Sequence, residues 1–352
     1  MPRRVLITGA TGLIGRRVVE RLVVSGWHVI GLDRSLDARM TLLPDAIRSA
    51  VQWIEGDSRD PEKLLAATVG VDAIAHLAAG ASFLMYEERP LDNTAGTICG
   101  FHNVLECAVR NDVGTIVYAS TSAVYEGNPL PYHESMTLRP PDLKAFSKKV
   151  NEEMADIFAD RYGIRTVAMR PFSVYGEDEM GKGKYANITS LFAWALLGGQ
   201  RPIIWGDGTQ TRDFIHASDA ARAFVLALES QSSARHLNVG TGRETSFGTV
   251  VEILARKLDI DPQPIYVPVP ISIYARRLLA DTYTIQRELG FVPEVSIEDG
   301  LDLVLQHARR QMAASDWDQL QHAQTLVLRE RGLAAQEIAQ ASDGYAAHGV
   351  HR

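Results

Sequence analysis

The chain has 352 residues, 46% of them hydrophobic and 22% charged, enough to bury a large core in one two-lobed globular unit. Its formal charge is 36 − 43 = −7, which gives no reason to expect binding to nucleic acid or adhesion to an anionic membrane. No apolar run approaches the ~20 residues of a membrane span and no signal-peptide pattern precedes the first strand, so a cytoplasmic location is expected. The two cysteines, Cys99 and Cys107, fall in a predicted helix and read as buried, reduced thiols.

Residues 3–22, RRVLITGATGLIGRRVVERL, open the chain with a short apolar strand, a turn containing Gly9, Gly12 and Gly15, and an amphipathic helix. Glycine is required where the chain reverses tightly and where a Cβ would hold the backbone away from a pyrophosphate. The free N–H groups at the helix start and the positive end of its dipole then face the phosphates. The second strand, WHVIGLD, ends at Asp33, about twenty residues past the glycines, where a carboxylate accepts hydrogen bonds from adenosine ribose hydroxyls and repels a 2′-phosphate. NAD is therefore expected over NADP, with Arg34 as the neighbour able to accommodate the extra phosphate. The plain alternative for Asp33 is a loop acid.

Further along, VQWIEGD, AIAHLA, TIVYAS and TVAMRP read as strands separated by helical patterns, the signature of a Rossmann-type α/β fold with a parallel sheet wound on both faces. After the third strand Asp57, in GDSRD, is placed either to accept from an adenine amino group or to cap a helix. HLAAG at 76–80 ends the fourth strand in small residues, which suit a close cofactor or close packing, and His76 reads as a satisfied core histidine. Past Pro171 the regularity breaks. The expected division is a dinucleotide-binding domain over 1–171, rejoined by 213–240, and a smaller α/β substrate lobe over 172–212 and 241–311. The Gln- and Ala-rich tail, 312–352, is expected to be helical or disordered and carries no functional signal.

Nine motifs in order carry a family resemblance: TGATGLIG (8–15), GDSRD (56–60), HLAA (76–79), NTAGT (93–97), YASTSAVY (118–125), SKKVNEE (147–153), RPFSVYG (170–176), GDGTQTRDFIHASD (206–219) and NVGTG (238–242). From about residue 3 to 310 the chain resembles the extended short-chain dehydrogenase/reductases, in the nucleotide-sugar epimerase/dehydratase branch of the UDP-galactose 4-epimerase type. The resemblance implies bound NAD, held by Gly9, Gly12, Leu13, Ile14, Gly15, Asp33, Arg34, Asp57, Ser58, Leu77, Ala78, Ala79, Asn93, Lys148 and Phe172. It also implies a nucleotide-diphosphate sugar as substrate, contacted by Thr121, Ser173, Asn187 and Arg212. Arg212 matches the arginine that clamps the diphosphate, a role suited to a bidentate guanidinium. Asn187 matches a phosphate-contacting asparagine and equally suits a helix N-cap. Ser173 stands where these enzymes carry asparagine, and Phe172 is expected beside the nicotinamide.

In this family a Ser or Thr, a Tyr and a Lys carry the chemistry, with Tyr and Lys four residues apart on one helix face. Thr121 and Lys148 match, but the tyrosine position is Lys144. Two amines one turn apart beside a cationic ring lower each other's pKa, so Lys144 fits a neutral base; it fits equally a protein that has lost the usual oxidation and serves as a non-catalytic NAD or nucleotide binder. Ser122 and Ala123 follow Thr121 where dehydratases carry Asp-Glu, which turns the expectation from dehydration to epimerisation. The alternative within the enzyme class is a decarboxylase or other redox enzyme on a sugar-nucleotide acid, with Lys144 paired to a uronate carboxylate. The resemblance further implies a homodimer formed through helices near 93–110 and 144–162, for which Val104, Leu105, Ile157 and Phe158 are available as apolar surface, the plain alternative being that they pack on their own sheet.

Overall fold

A computed structural model describes residues 2–36, 38–271 and 273–311. The strands are β1 (Arg4–Thr8), β2 (His28–Asp33), β3 (Gln52–Glu55), β4 (Ala73–His76), β5 (Thr115–Ala119), β6 (Arg165–Pro171), β7 (Ser173–Tyr175), β8 (Ile203–Trp205), β9 (Thr211–Arg212), β10 (Phe214–His216), β11 (His236–Val239), β12 (Thr245–Ser246) and β13 (Ile265–Val267). The helices are α1 (Leu13–Val24), α2 (Asp45–Ser49), α3 (Pro61–Ala67), α4 (Phe83–Glu88), α5 (Pro90–Arg110), α6 (Leu143–Tyr162), α7 (Ile188–Leu197), α8 (Ala217–Glu229), α9 (Phe247–Leu258), α10 (Tyr283–Leu289) and α11 (Ile297–Gln311).

The chain divides into two compact units. The first comprises residues up to Phe172, Ala217–Gly242 and Leu279–Glu294. Its seven strands run in the order β11-β6-β5-β4-β1-β2-β3, and every pairing is parallel. Fully apolar runs such as Val5-Leu6-Ile7 form these strands because helices cover both faces. On the face covered by α5 and α6, Leu6, Ile30, Ile74 and Ile116 pack with Phe101, Val104, Leu105 and Phe158. Burying each such side chain contributes about 1.5–3 kcal/mol. The order of connection reverses between β1 and β4, the position at which open α/β sheets bind ligands beyond the carboxyl ends of their strands.

Three expectations are corrected here. Val104 and Leu105 have no exposed surface and Phe158 only 9%, so these three side chains belong to the unit's own core; Ile157 is 61% exposed. Of the cysteines only Cys107 is buried, whereas Cys99 is exposed, and both are free. Residues 279–294 also differ from the expected division, which placed them in the second lobe. Tyr132 draws them into the first unit: its N–H donates to the Leu279 carbonyl at 2.8 Å and its carbonyl accepts from Asp281 N–H at 2.9 Å.

The second unit comprises Ser173–His216, Arg243–Leu278 and the described residues from Val295 onward. Three two-stranded ribbons, β10-β7, β12-β9 and β13-β8, frame its core. There Tyr175, Phe192, Phe214, Phe247, Val250, Leu301 and Val304 are packed by α7, α9 and α11. The tail beyond Gln311 lies outside the described residues. Among the described residues no helix is long and apolar enough to cross a membrane.

Candidate functional site

In the first unit the glycine turn forms a cradle with little room for side chains. Gly9 has φ +70°, and a Cβ there would meet the Ala78 nitrogen at 2.7 Å; one on Gly15 would meet the Gly9 carbonyl oxygen at 2.1 Å. Leu77 and Ala78 are tied to the same turn through the end of β1, where Leu77 N–H donates to the Thr8 carbonyl and Ala78 N–H to Thr8 Oγ1. Gly12 caps α1 with no side-chain hydrogen bond. The first-turn N–H groups, those of Leu13, Ile14 and Gly15, are thus left open to an anionic ligand. Asp33 is fixed at the end of β2: Oδ2 accepts from Thr11 N–H at 2.9 Å and Thr11 Oγ1 at 2.8 Å, and Oδ1 from Arg34 N–H at 2.8 Å. Turn, uncapped helix start and aimed carboxylate fit a dinucleotide.

The remaining cofactor candidates are placed less uniformly. Asp57 accepts from the Arg59 backbone and guanidinium, and it is Asp60 that caps α3. Burial works to raise the Asp57 pKa, but the Arg59 hydrogen bonds prevail and hold it low. Ser58 is buried, with its carbonyl taken by Asn103 Nδ2. Asn93 donates to the Met85 and Arg89 carbonyls, and its Oδ1 lies beside Gly80. Ala79 follows the half-buried Ala78 at the strand exit and is exposed. Phe172 is buried 6.4 Å from the Tyr132 ring.

At the carboxyl edge of β5 the reactive candidates come together. Thr121 is 5% exposed, and its Oγ1 accepts from Ala123 N–H at 3.3 Å, capping a short 3-10 turn. Asp142 caps α6 by accepting from Ala145 N–H, which starts the helix that carries Lys144 half-buried in its first turn. One turn on, Lys148 is 3% exposed, and its Nζ donates to the Ala119 carbonyl at 2.7 Å. Burial first, then the Lys144 charge, lowers the Lys148 pKa to about 7. His76, paired in register with Tyr118, is 1% exposed. Its Nδ1 lies 2.8 Å from Thr8 Oγ1, but its Nε2 has no hydrogen-bond partner among the described residues, so it is only half satisfied there. Burial, assisted by Lys148, lowers its pKa to about 3 and keeps the ring neutral.

A buried network supports this edge. Arg170 pairs with Glu152 at 2.6 Å, Ser120 donates to the same carboxylate, and Arg170 also donates to Tyr125 Oη. The Tyr125 hydroxyl donates in turn to Asn238 Oδ1.

In the second unit the Arg212 guanidinium lies 5.2 Å from the Phe247 ring and 5.4 Å from that of Tyr274. Gln210 Nε2 donates to Tyr274 Oη and to the Trp205 carbonyl, while its buried Oε1 has no partner among the described residues. Asn187 is the N-cap of α7: Oδ1 accepts from Thr189 N–H and Nδ2 donates to the Val174 carbonyl, so both ends of the amide serve the fold. Ser173 sits in β7 with its N–H donating to the Asp213 carbonyl. Sequence reasoning missed Phe247, Tyr274 and Gln210 around Arg212. Gln210 is two residues away and was within reach, whereas Tyr274 is separated by 62 positions and left no local signal.

Residues 5–240 match the model of the NAD dependent epimerase/dehydratase family. A putative UDP-glucose 4-epimerase of Methanocaldococcus jannaschii is 31% identical over 307 residues, spanning 86% of this chain and 97% of that one. Among solved structures, UDP-glucose 4-epimerase of Thermotoga maritima with UDP-glucose superposes with a TM-score of 0.82 at 27% identity, covering 88% of this chain and 100% of that one. The Thermus thermophilus UDP-glucose 4-epimerase complex with NAD gives 0.79 at 28% identity with the same coverage. This chain belongs to the NAD dependent epimerase/dehydratase family.

Proposed function

We propose that the chain is an NAD-dependent nucleotide-sugar epimerase that oxidises one sugar carbinol, lets the ketone present its other face, and reduces it again. The observation that carries this reading is the convergence of Thr121, Lys144 and Lys148 at the edge of β5, in the same unit as a glycine cradle shaped for a dinucleotide. Family membership, relatives that are UDP-glucose 4-epimerases and related structures holding UDP-glucose or NAD support it. Bound NAD supplies a hydride acceptor that returns the hydride within one cycle.

The chain's own residues do the rest. Backbone N–H groups at the start of α1 meet the pyrophosphate and Asp33 accepts from the ribose hydroxyls. Thr121 hydrogen-bonds the reacting sugar hydroxyl, and the lysine pair takes its proton and returns it. Arg212, braced by two rings, pairs with the diphosphate of the nucleotide sugar. Arg170 and Glu152 hold the α6 scaffold against β6.

The test is incubation with UDP-, dTDP-, GDP- and CDP-sugars, with products resolved by proton NMR. Interconversion of one epimer pair without added cofactor supports the reading; no conversion across the panel refutes it. We place the homodimer contact on the exposed stripe of α6, Leu143, Phe146 and Ile157. Ile157→Glu should halve the mass found by light scattering, and a monomeric wild type at micromolar concentration would end the idea.

A further inference from the structure

The loss of the family's phenol leaves two amines one helical turn apart in unlike surroundings. Lys148 is 3% exposed, and the single hydrogen bond it makes among the described residues is to a neutral acceptor, the Ala119 carbonyl. The acid nearest along its helix, Glu152, is committed: one oxygen accepts from Ser120 and Arg170 and the other from Arg170 again. From β4 the neighbour is His76, buried and neutral, and from β6 it is the cationic Arg170, reached through Glu152. Lys144 sits in the first turn of α6, half-buried, where water can solvate an ammonium. A charge on Lys148 lacks both water and a free counter-ion, whereas a charge on Lys144 has water.

On the epimerase reading above, we propose that the two lysines divide the acid–base work: Lys148 rests as the free amine that receives the sugar hydroxyl's proton, and Lys144 rests as the ammonium that keeps it free. In the oxidative half-reaction the sugar O–H bond breaks, an N–H bond forms at Lys148, and the carbinol hydride leaves to NAD. On reduction Lys148 gives the proton back to the alkoxide oxygen, so the amine is free again at the end of the cycle. The half-reaction places a second ammonium beside the first, and their repulsion favours return of the proton. Lys144 is thus a positioning residue acting through charge, and the departure from the family pattern moves the base one turn along the helix.

This assignment is testable without turnover. The chain has seven lysines, at 63, 144, 148, 149, 182, 184 and 257, so lysine labelled with 13C at Cε gives seven resonances to follow as pH is varied in the purified protein. One resonance should titrate near pH 7. It should persist in Lys144→Met and move up by about one pH unit or more, and stay low in Lys144→Arg, which retains the cation. Three results would each overturn the proposal: all seven titrating above pH 9, the low resonance vanishing in Lys144→Met, or its staying in place in that variant. Failure of the nucleotide-sugar panel would sink the epimerase reading while leaving this titration intact, so the two failures are distinguishable.

Discussion

On the proposed epimerase reading, an amine serving in place of a phenol reverses the charge logic of the site. A phenol becomes an anion when it gives up its proton, whereas an amine becomes neutral, and the surroundings must then disfavour charge rather than stabilise it. The burial of Lys148 does so. Lys144→Met should therefore lower kcat at pH 7 by about tenfold or more and recover much of it by pH 9, because a less repelled Lys148 needs a higher pH to lose its proton. A kcat–pH profile checks this, and a uniform loss at every pH would show that Lys144 does more than supply charge. Asp33 acts by a fixed hydrogen-bonding role instead. Its two oxygens are already oriented by Thr11 and Arg34, so Asp33→Ala should weaken NAD by about 1–3 kcal/mol and erase the preference over NADP, read by calorimetry with both cofactors.

The strands and long helices were legible because each carries its own periodicity. HVIGLD is read as a strand and observed as β2, and the amphipathic segment after the glycine turn is read as a helix and observed as α1. What was not legible depends on partners far along the chain. Val104 and Leu105 present an apolar face to anyone reading α5 alone, and only the packed sheet tells that the face points inward. The return of residues 279–294 rests on a backbone pairing with Tyr132, about 150 positions away, and backbone hydrogen bonds leave no mark on composition. Asn187 had two readings of similar weight, and the geometry uses its side chain as a cap. The Glu152–Arg170 pair joins α6 to β6 in the same hidden way. With both side chains nearly inaccessible, Glu152→Ala strands a guanidinium in the core, and the expected loss is about 3–5 kcal/mol in urea unfolding. A loss below about 1 kcal/mol would mean that water reaches Arg170.

For the whole molecule, buried bases tie stability to pH in a direction opposite to buried acids. His76 titrates near 6.5 when unfolded and about 3 when folded, because burial and Lys148 disfavour its cation. Between those values the unfolded chain binds the extra proton, so stability falls as pH drops from 6.5 toward 3. Lys148 works the same way higher up. Its folded value of about 7 lies below the ordinary 10.5, so from pH 7 upward the native amine is free while the unfolded one still holds its proton. Within this window unfolding must take up a proton, which grows costlier as pH rises, so stability increases until about 10.5. The Cys107 thiol, raised by burial, opposes this near pH 9, as its unfolded form ionises first. The comparison is therefore made from pH 7 to pH 8.5 and against Lys148→Met, which has the same thiol and no amine to titrate. Wild-type protein should gain on the order of 1–2 kcal/mol over that interval relative to the variant, measured from urea midpoints. Parallel curves would place the Lys148 amine in its ordinary range when folded, and the buried site would then hold an ammonium at neutral pH.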